Sequence, residues 1–192
     1  MGRIVGSLVL FGLLIAIDGN EPGSVLPLVA LVLFTIVVAT DALDGYLARK
    51  LNQITDFGRV ADPMADKILV CGTLIFICAS DWGRALLPPW AVVLIVSREF
   101  LVTGLRGFIE TRGHSFPAGW SGKLKMLAQS VAIPMILLHQ VIVGAGTGAD
   151  ATLEAVVRYG VHTLITIVIV LTVYSGMVYM MRAARILNSG KE

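Results

Sequence analysis

Apolar positions in this chain come in long runs instead of alternating with polar ones. Six stretches, Ile4 to Ile17, Ser24 to Lys50, Arg59 to Ala79, Pro88 to Ile109, Lys123 to Val143 and Leu153 to Met181, carry most of the hydrophobic mass. Their lengths approach the ~20 residues a helix needs to cross about 30 Å of hydrocarbon. The pattern predicts an all-α polytopic membrane protein built as a bundle of six transmembrane helices. The connections alternate in character. Asp18 to Gly23, Ser80 to Leu87 and Gly144 to Asp150 are short, Gly-rich and acidic or neutral, whereas the others carry Arg49, Lys50 and Arg59, then Arg106, Arg112, Lys123 and Lys125, and finally Arg182, Arg185 and Lys191. Basic loops stay on the cytoplasmic side, so the expectation is a multi-pass protein of the cell inner membrane with both termini cytoplasmic.

Composition agrees and narrows the class. With 56% hydrophobic and only 15% charged residues among 192, and a mean hydropathy of +0.84, the chain is not an ordinary soluble domain. No internal repeat or low-complexity tract divides it, so a single domain over residues 1–192 is expected, and no nucleic-acid partner. Cys71 and Cys78 share one apolar run without a nearby His, which fits packing and neither a zinc site nor a disulfide framework. The first run lacks a small-x-small cleavage site and is expected to remain as a helix. His114, His139 and His162 have no metal-like spacing and read as structural or interfacial.

Against this apolar background, four aspartates between residues 41 and 66 stand out. Asp41 and Asp44 are three apart, and Asp62 and Asp66 four apart, so on helices each pair occupies one face about a turn apart. The ten or so residues from Lys50 to Arg59, between the pairs, read as a short turn, which predicts two antiparallel neighbouring helices whose carboxylates meet. Asp41 lies about 25 Å along a helix from Ser24, which reaches the cytoplasmic third of the membrane. Four hard oxygen ligands suit one or two Mg²⁺ or Mn²⁺ ions better than zinc or copper, and the pairs read as a site for two divalent cations. The competing reading of any single Asp is an ordinary charge at a membrane helix end.

The spacing as a whole is more specific. Asp41-Ala42-Leu43-Asp44-Gly45-Tyr46-Leu47-Ala48-Arg49, followed after eight residues by Gly58-Arg59-Val60-Ala61-Asp62-Pro63-Met64-Ala65-Asp66, resembles the signature of the CDP-alcohol phosphotransferase family at every fixed position. Gly45, Ala48 and Gly58 leave room for a nucleotide to approach backbone, and the Arg49 fork can hold a pair of diphosphate oxygens. The resemblance implies that Asp41 and Asp62 bridge the metals, that Asp44 completes one and Asp66 the other, and that Asp66 is also the catalytic base. It further implies that Gly45, Arg49 and Thr55 contact the CDP moiety. The family transfers the phosphatidyl group of a CDP-linked lipid to an alcohol, releasing CMP, and its members are often homodimers. They usually begin with an amphipathic segment carrying Asn-Pro, a Thr and an Arg. This chain starts at Met1-Gly2-Arg3, with Arg3 a candidate for that Arg, so the segment is expected to be missing from the sequence.

Which alcohol is used depends on the rest of the chain. Asp62 to Lys67, Arg98-Glu99 with Arg106, Gly122-Lys123-Leu124-Lys125 with Gln129, and Ala183-Ala184-Arg185 resemble the branch of the family that combines CDP-diacylglycerol with glycerol 3-phosphate. A doubly charged acceptor phosphate needs several cations, and Arg98, Arg106, Lys123 and Lys125 are the available set. Charges near mid-membrane are costly, so Arg98 and Glu99 read either as functional or as a pair that fixes helix packing. The lysines read equally as interfacial anchors. Two further readings stay open: another acceptor, as in inositol phosphate or cardiolipin synthesis, and a divalent cation transporter whose carboxylates bind the transported ion. Absence of repeated halves and a site off the midplane speak against the transporter.

Overall fold

A computed structural model of the chain describes residues 2–19, 24–50, 56–113, 116, 119–144 and 151–189, with backbone alone at 2, 41–50, 56–63, 144, 188 and 189. Seven helices follow one another: α1 (Gly2–Asp18), α2 (Leu26–Lys50), α3 (Asp56–Ala79), α4 (Asp81–Arg84), α5 (Pro89–Thr111), α6 (Trp120–Gly144) and α7 (Ala151–Ser189). Strands are absent among the described residues. The six long helices coincide with the six apolar runs apart from their ends. The largest difference is at α7, which continues past Met181 as an amphipathic extension with Ala183 buried and Arg182 and Arg185 exposed.

Local chemistry explains where the helices begin and end. Pro89 opens α5 at a position whose amide has no intrahelical acceptor, and Gly113 follows its end with φ +79°, a conformation that costs glycine little. Inside the helices, hydroxyls bond back to carbonyls four residues earlier, as Thr73 does to Leu69 (2.6 Å) and Thr172 to Val168 (2.6 Å). That satisfies polar side chains where water is scarce. α4 is a single turn: the Ser80 hydroxyl accepts from the Gly83 N–H (3.2 Å), and the Asp18 carboxylate accepts from the Asp81 N–H (2.9 Å), tying the end of α1 to the start of α4.

The six long helices pack as a ring in the order α1, α2, α6, α7, α5, α3 and back to α1, with α3 also touching α6 across it. The facing ends of α2 and α3, where the sequence expects the two helices to meet, have side chains outside the described residues. Among the described residues both helices pack on α1, whose Leu10, Leu14 and Ile17 are buried and whose Phe11 stacks on Phe76 of α3 at 4.9 Å between centroids. Two apolar clusters fill the interior. The larger joins α1, α2, α3, α5, α6 and α7 through residues such as Phe34, Leu69, Ile95, Ile133 and Val168. The smaller gathers Val102, Ile109, Phe116, Tyr179 and Ala183. Between them along α5 and α7 lies a polar layer: Arg98 and Glu99 fall between Ile95 and Val102, and Thr172 and Ser175 between Val168 and Tyr179.

Among the described residues two helices are long and apolar enough to cross a membrane, over Trp120–Val143 and Ala151–Leu187, and Leu26–Thr40 is a shorter apolar stretch. Only 33% of each of the two windows is buried, so neither is the enclosed core helix of a soluble domain. Val93, Phe100, Leu127, Val156 and Met177 face outward on α5, α6 and α7, as expected of surfaces bathed in lipid. α5 falls short of the two because Arg98, Glu99, Arg106 and Glu110 interrupt its apolar run.

Candidate active site

The polar layer opens into a cleft of about 570 Å³ between α3, α5, α6 and α7. Its inner wall is made by buried Val70, Cys71, Val102, Lys125, Gln129 and Tyr179, while Met64, Thr103, Gly107, Glu110 and Met126 form an exposed rim. Four cationic side chains, Lys67, Arg98, Arg106 and Lys125, share the cleft with three acidic ones, Asp66, Glu99 and Glu110. Burying so many charges is costly unless they are paired, and part of this set is.

Glu99 is the hub. Its carboxylate accepts from Arg98 Nη1 (2.8 Å) and from the Lys125 ammonium, whose side chain is only 2% exposed. Arg98 Nη2 donates to the Ser175 hydroxyl (2.9 Å), and the same guanidinium lies 5.5 Å from the centroid of the Tyr179 ring. α5, α6 and α7 are therefore cross-linked at one level. Arg98 Nε and Arg106 Nε are buried without a hydrogen-bond partner among the described residues, so the cleft holds donors that the described groups do not satisfy. Such donors are where an anionic ligand gains most.

Tyr179 supports the wall from below. Its hydroxyl accepts from the Gly119 N–H (2.7 Å), its ring meets Phe116 edge-on at 5.6 Å, and a Cβ on Gly122 would lie 3.1 Å from the hydroxyl. A glycine at 122 lets the first turn of α6 approach α7 closely enough to place Lys125 beside Glu99. Sequence reasoning missed Tyr179 and Ser175. The usable signal was the spacing of Thr172, Ser175 and Tyr179, a polar stripe at helical period within an otherwise apolar segment.

Of the basic residues singled out from sequence, Arg98, Arg106 and Lys125 line the cleft and Lys123 does not. Lys123 instead holds its ammonium 5.5 Å from the centroid of the Trp120 ring. Cys71 is buried in the wall and Cys78 is half-buried, both as free thiols. Asp66 lines the cleft one residue from Lys67. The other members of the aspartate set, Asp41 and Asp44 on α2 and Asp62 on α3, have side chains outside the described residues. So do Gly45, Ala48, Arg49 and Gly58, and Thr55 lies outside them altogether.

Divalent cations can be weighed against what is described. Among the described residues no three His, Cys, Asp or Glu side chains converge as a metal site. Three of the four expected ligands fall outside that set, and the fourth, Asp66, opens onto a cleft with room for a ligand. The expected donors would all be carboxylates, on the end of α2 and the first half of α3, and such a donor set would fit Mg²⁺ or Mn²⁺.

Comparison with known proteins adds an independent line. Residues 1–174 match the family described as CDP-alcohol phosphatidyltransferase. A Bacillus subtilis relative named CDP-diacylglycerol--glycerol-3-phosphate 3-phosphatidyltransferase is 46% identical over 121 residues, covering 63% of this chain and 61% of the relative. A Mycobacterium tuberculosis relative named probable phosphatidylglycerophosphate synthase is 36% identical over 167 residues, covering 87% of this chain and 71% of the relative. A Rickettsia typhi relative with the same name as the Bacillus protein is 40% identical over 107 residues, covering 55% of this chain and 57% of the relative. The chain thus spans about three fifths of the Bacillus relative and somewhat more of the mycobacterial one. With a match over most of its length and an aspartate of the signature opening onto a cationic cleft, the chain belongs to the CDP-alcohol phosphatidyltransferase family.

Proposed function

We propose that this protein transfers the phosphatidyl group of CDP-diacylglycerol to glycerol 3-phosphate, releasing CMP and forming phosphatidylglycerophosphate in phospholipid biosynthesis. The observation that carries the reading is the cleft, in which Asp66 shares one space with Arg98, Arg106 and Lys125. Relatives named for this reaction support it.

The acceptor hydroxyl attacks the phosphorus that bears the diacylglycerol; a new oxygen–phosphorus bond forms, the bond to CMP breaks, and CMP leaves as a phosphate. Its second pKa of about 6 means departure needs little acid assistance, whereas the attacking alcohol needs a base. Asp66 takes that proton. Two divalent cations held by Asp41, Asp44, Asp62 and Asp66 supply charge neutralisation at the diphosphate when bound. Gly45, Ala48 and Gly58 let the nucleotide approach backbone, Arg49 takes a diphosphate oxygen pair and Thr55 contacts the CDP moiety. Arg106, with its unpartnered Nε, and Arg98 and Lys125 around Glu99 receive the acceptor phosphate. Lys123 serves as an interfacial anchor on Trp120.

The architecture for this chemistry is one domain whose six long helices all span the membrane, with both termini and the site at the cytoplasmic face and a homodimer as the assembly. The deciding experiment is CMP release from CDP-diacylglycerol with a panel of acceptors, with and without chelator. Release that needs Mg²⁺ or Mn²⁺ and glycerol 3-phosphate supports the proposal. Equal release with inositol phosphate or phosphatidylglycerol moves the assignment to another acceptor, and no release with any acceptor defeats it.

A further inference from the structure

Gln129 is a polar, uncharged residue of the inner wall whose side-chain amide nitrogen has no partner among the described residues. It is 3% exposed, it lines the cleft, and its Nε2 has no hydrogen-bond partner among the described residues. It stands four residues after Lys125 on α6, so the two occupy one helix face a turn apart. A buried amide left unpaired weakens a fold, and nothing in the packing here requires an amide, since its neighbours on α6, Ala132 and Ile133, belong to the apolar core. The cleft surface beside it holds the Glu99 hub, where carboxylate and cations answer one another.

We infer that Gln129 is a specificity-determining residue that hydrogen-bonds the non-reacting hydroxyl of the acceptor. This rests on the acceptor assignment above. Glycerol 3-phosphate brings three polar groups into the cleft. Its phosphate matches the cations, and its reacting hydroxyl goes to Asp66. The middle hydroxyl is neutral, both donor and acceptor, and is matched by an amide better than by an ion. With the Arg98 and Arg106 donors given to the phosphate, the amide is the buried polar group of the cleft with an unmade bond among the described residues, and it lies one turn from a phosphate-binding lysine.

The test uses 3-hydroxypropyl phosphate, which keeps the phosphate and the reacting hydroxyl and lacks the middle one. CMP release from CDP-diacylglycerol in detergent micelles is followed for the full chain with each acceptor. The parent is expected to favour glycerol 3-phosphate by roughly tenfold or more in kcat/KM, as a site built around a hydroxyl does. In Gln129→Met, which conserves volume, the preference is expected to shrink to within about threefold, with the loss confined to glycerol 3-phosphate and the KM for CDP-diacylglycerol held within a few-fold. A parent that uses both acceptors equally overturns the inference, whatever the variant does. So does a Gln129→Met protein that loses both acceptors in proportion while melting at the parent temperature. If the parent releases no CMP with glycerol 3-phosphate, the acceptor assignment fails and takes this inference with it.

Discussion

Single side chains in the cleft divide by what they can reach. Replacing Asp66 by Asn keeps its size and removes its proton affinity, so turnover is expected to fall roughly 10²- to 10⁴-fold, the usual range for a general base. Metal-dependent binding of CDP-diacylglycerol should survive in Asp66→Asn and be largely lost in Asp41→Asn; binding isotherms with equal losses would deny Asp66 a separate role as base. Arg106 and Lys123 give a cleaner contrast. Arg106 lines the cleft with an unpartnered Nε, whereas Lys123 rests against Trp120 outside it. Removing a charge-assisted bond to phosphate costs about 2 kcal/mol, so Arg106→Ala should raise the KM for glycerol 3-phosphate at least roughly tenfold. Lys123→Ala should leave it within about threefold, since a cation over an exposed ring contributes little. Substrate-varied kinetics decide, and a larger effect at Lys123 than at Arg106 would mean the phosphate binds elsewhere. Helical period alone separates Lys123 from Lys125, because residues two apart point about 200° apart. It does not say which of them faces the cleft.

At the level of elements, α5 and α6 are joined by a charge contact deep in the bundle. Glu99 answers both Arg98 on its own helix and Lys125 on α6, and Arg98 reaches on to Ser175 of α7. Removing the shared anion leaves two buried cations facing each other. Glu99→Gln is therefore expected to lower stability by about 3–5 kcal/mol, and Lys125→Met by less, since Arg98 still holds Glu99. The double variant Glu99→Gln with Lys125→Met should be more stable than the sum of the single changes implies. Unfolding of the four proteins in one detergent measures this coupling, and strict additivity would show that the contact carries no energy. From sequence, Arg98 and Glu99 were legible as costly charges within an apolar run, but their partners were not. Lys125 is 26 residues from Glu99 and Ser175 is 77 from Arg98, separations that no local pattern encodes.

For the molecule as a whole, orientation follows from which loops carry charge. If the basic connections are cytoplasmic, a cysteine replacing exposed Arg112, beyond the end of α5, should react with a membrane-impermeant thiol reagent in inverted vesicles only. One replacing exposed Ala85, beyond α4, should react in right-side-out vesicles only. Native Cys71 and Cys78 are buried and half-buried, so background labelling should be small. Labelling of both positions from one side would refute the six-span arrangement.

Much of this protein follows from its sequence, because the controlling forces act locally. Long apolar runs mark where the long helices lie, and three- and four-residue spacing sets each pair of aspartates on one helix face. What the tertiary structure decided depends on contacts between distant segments. It made α1 the shared support of α2 and α3, seated Tyr179 beneath the start of α6 through Gly119 and Gly122, and brought Lys125 to Glu99 while leaving Lys123 outside. It also left Gln129 facing the cleft with an unmade bond. Hydropathy treats these residues as isolated polar interruptions. Their meaning comes from low-dielectric burial, where a charge or an amide must find a partner and the ring of helices determines which one it meets.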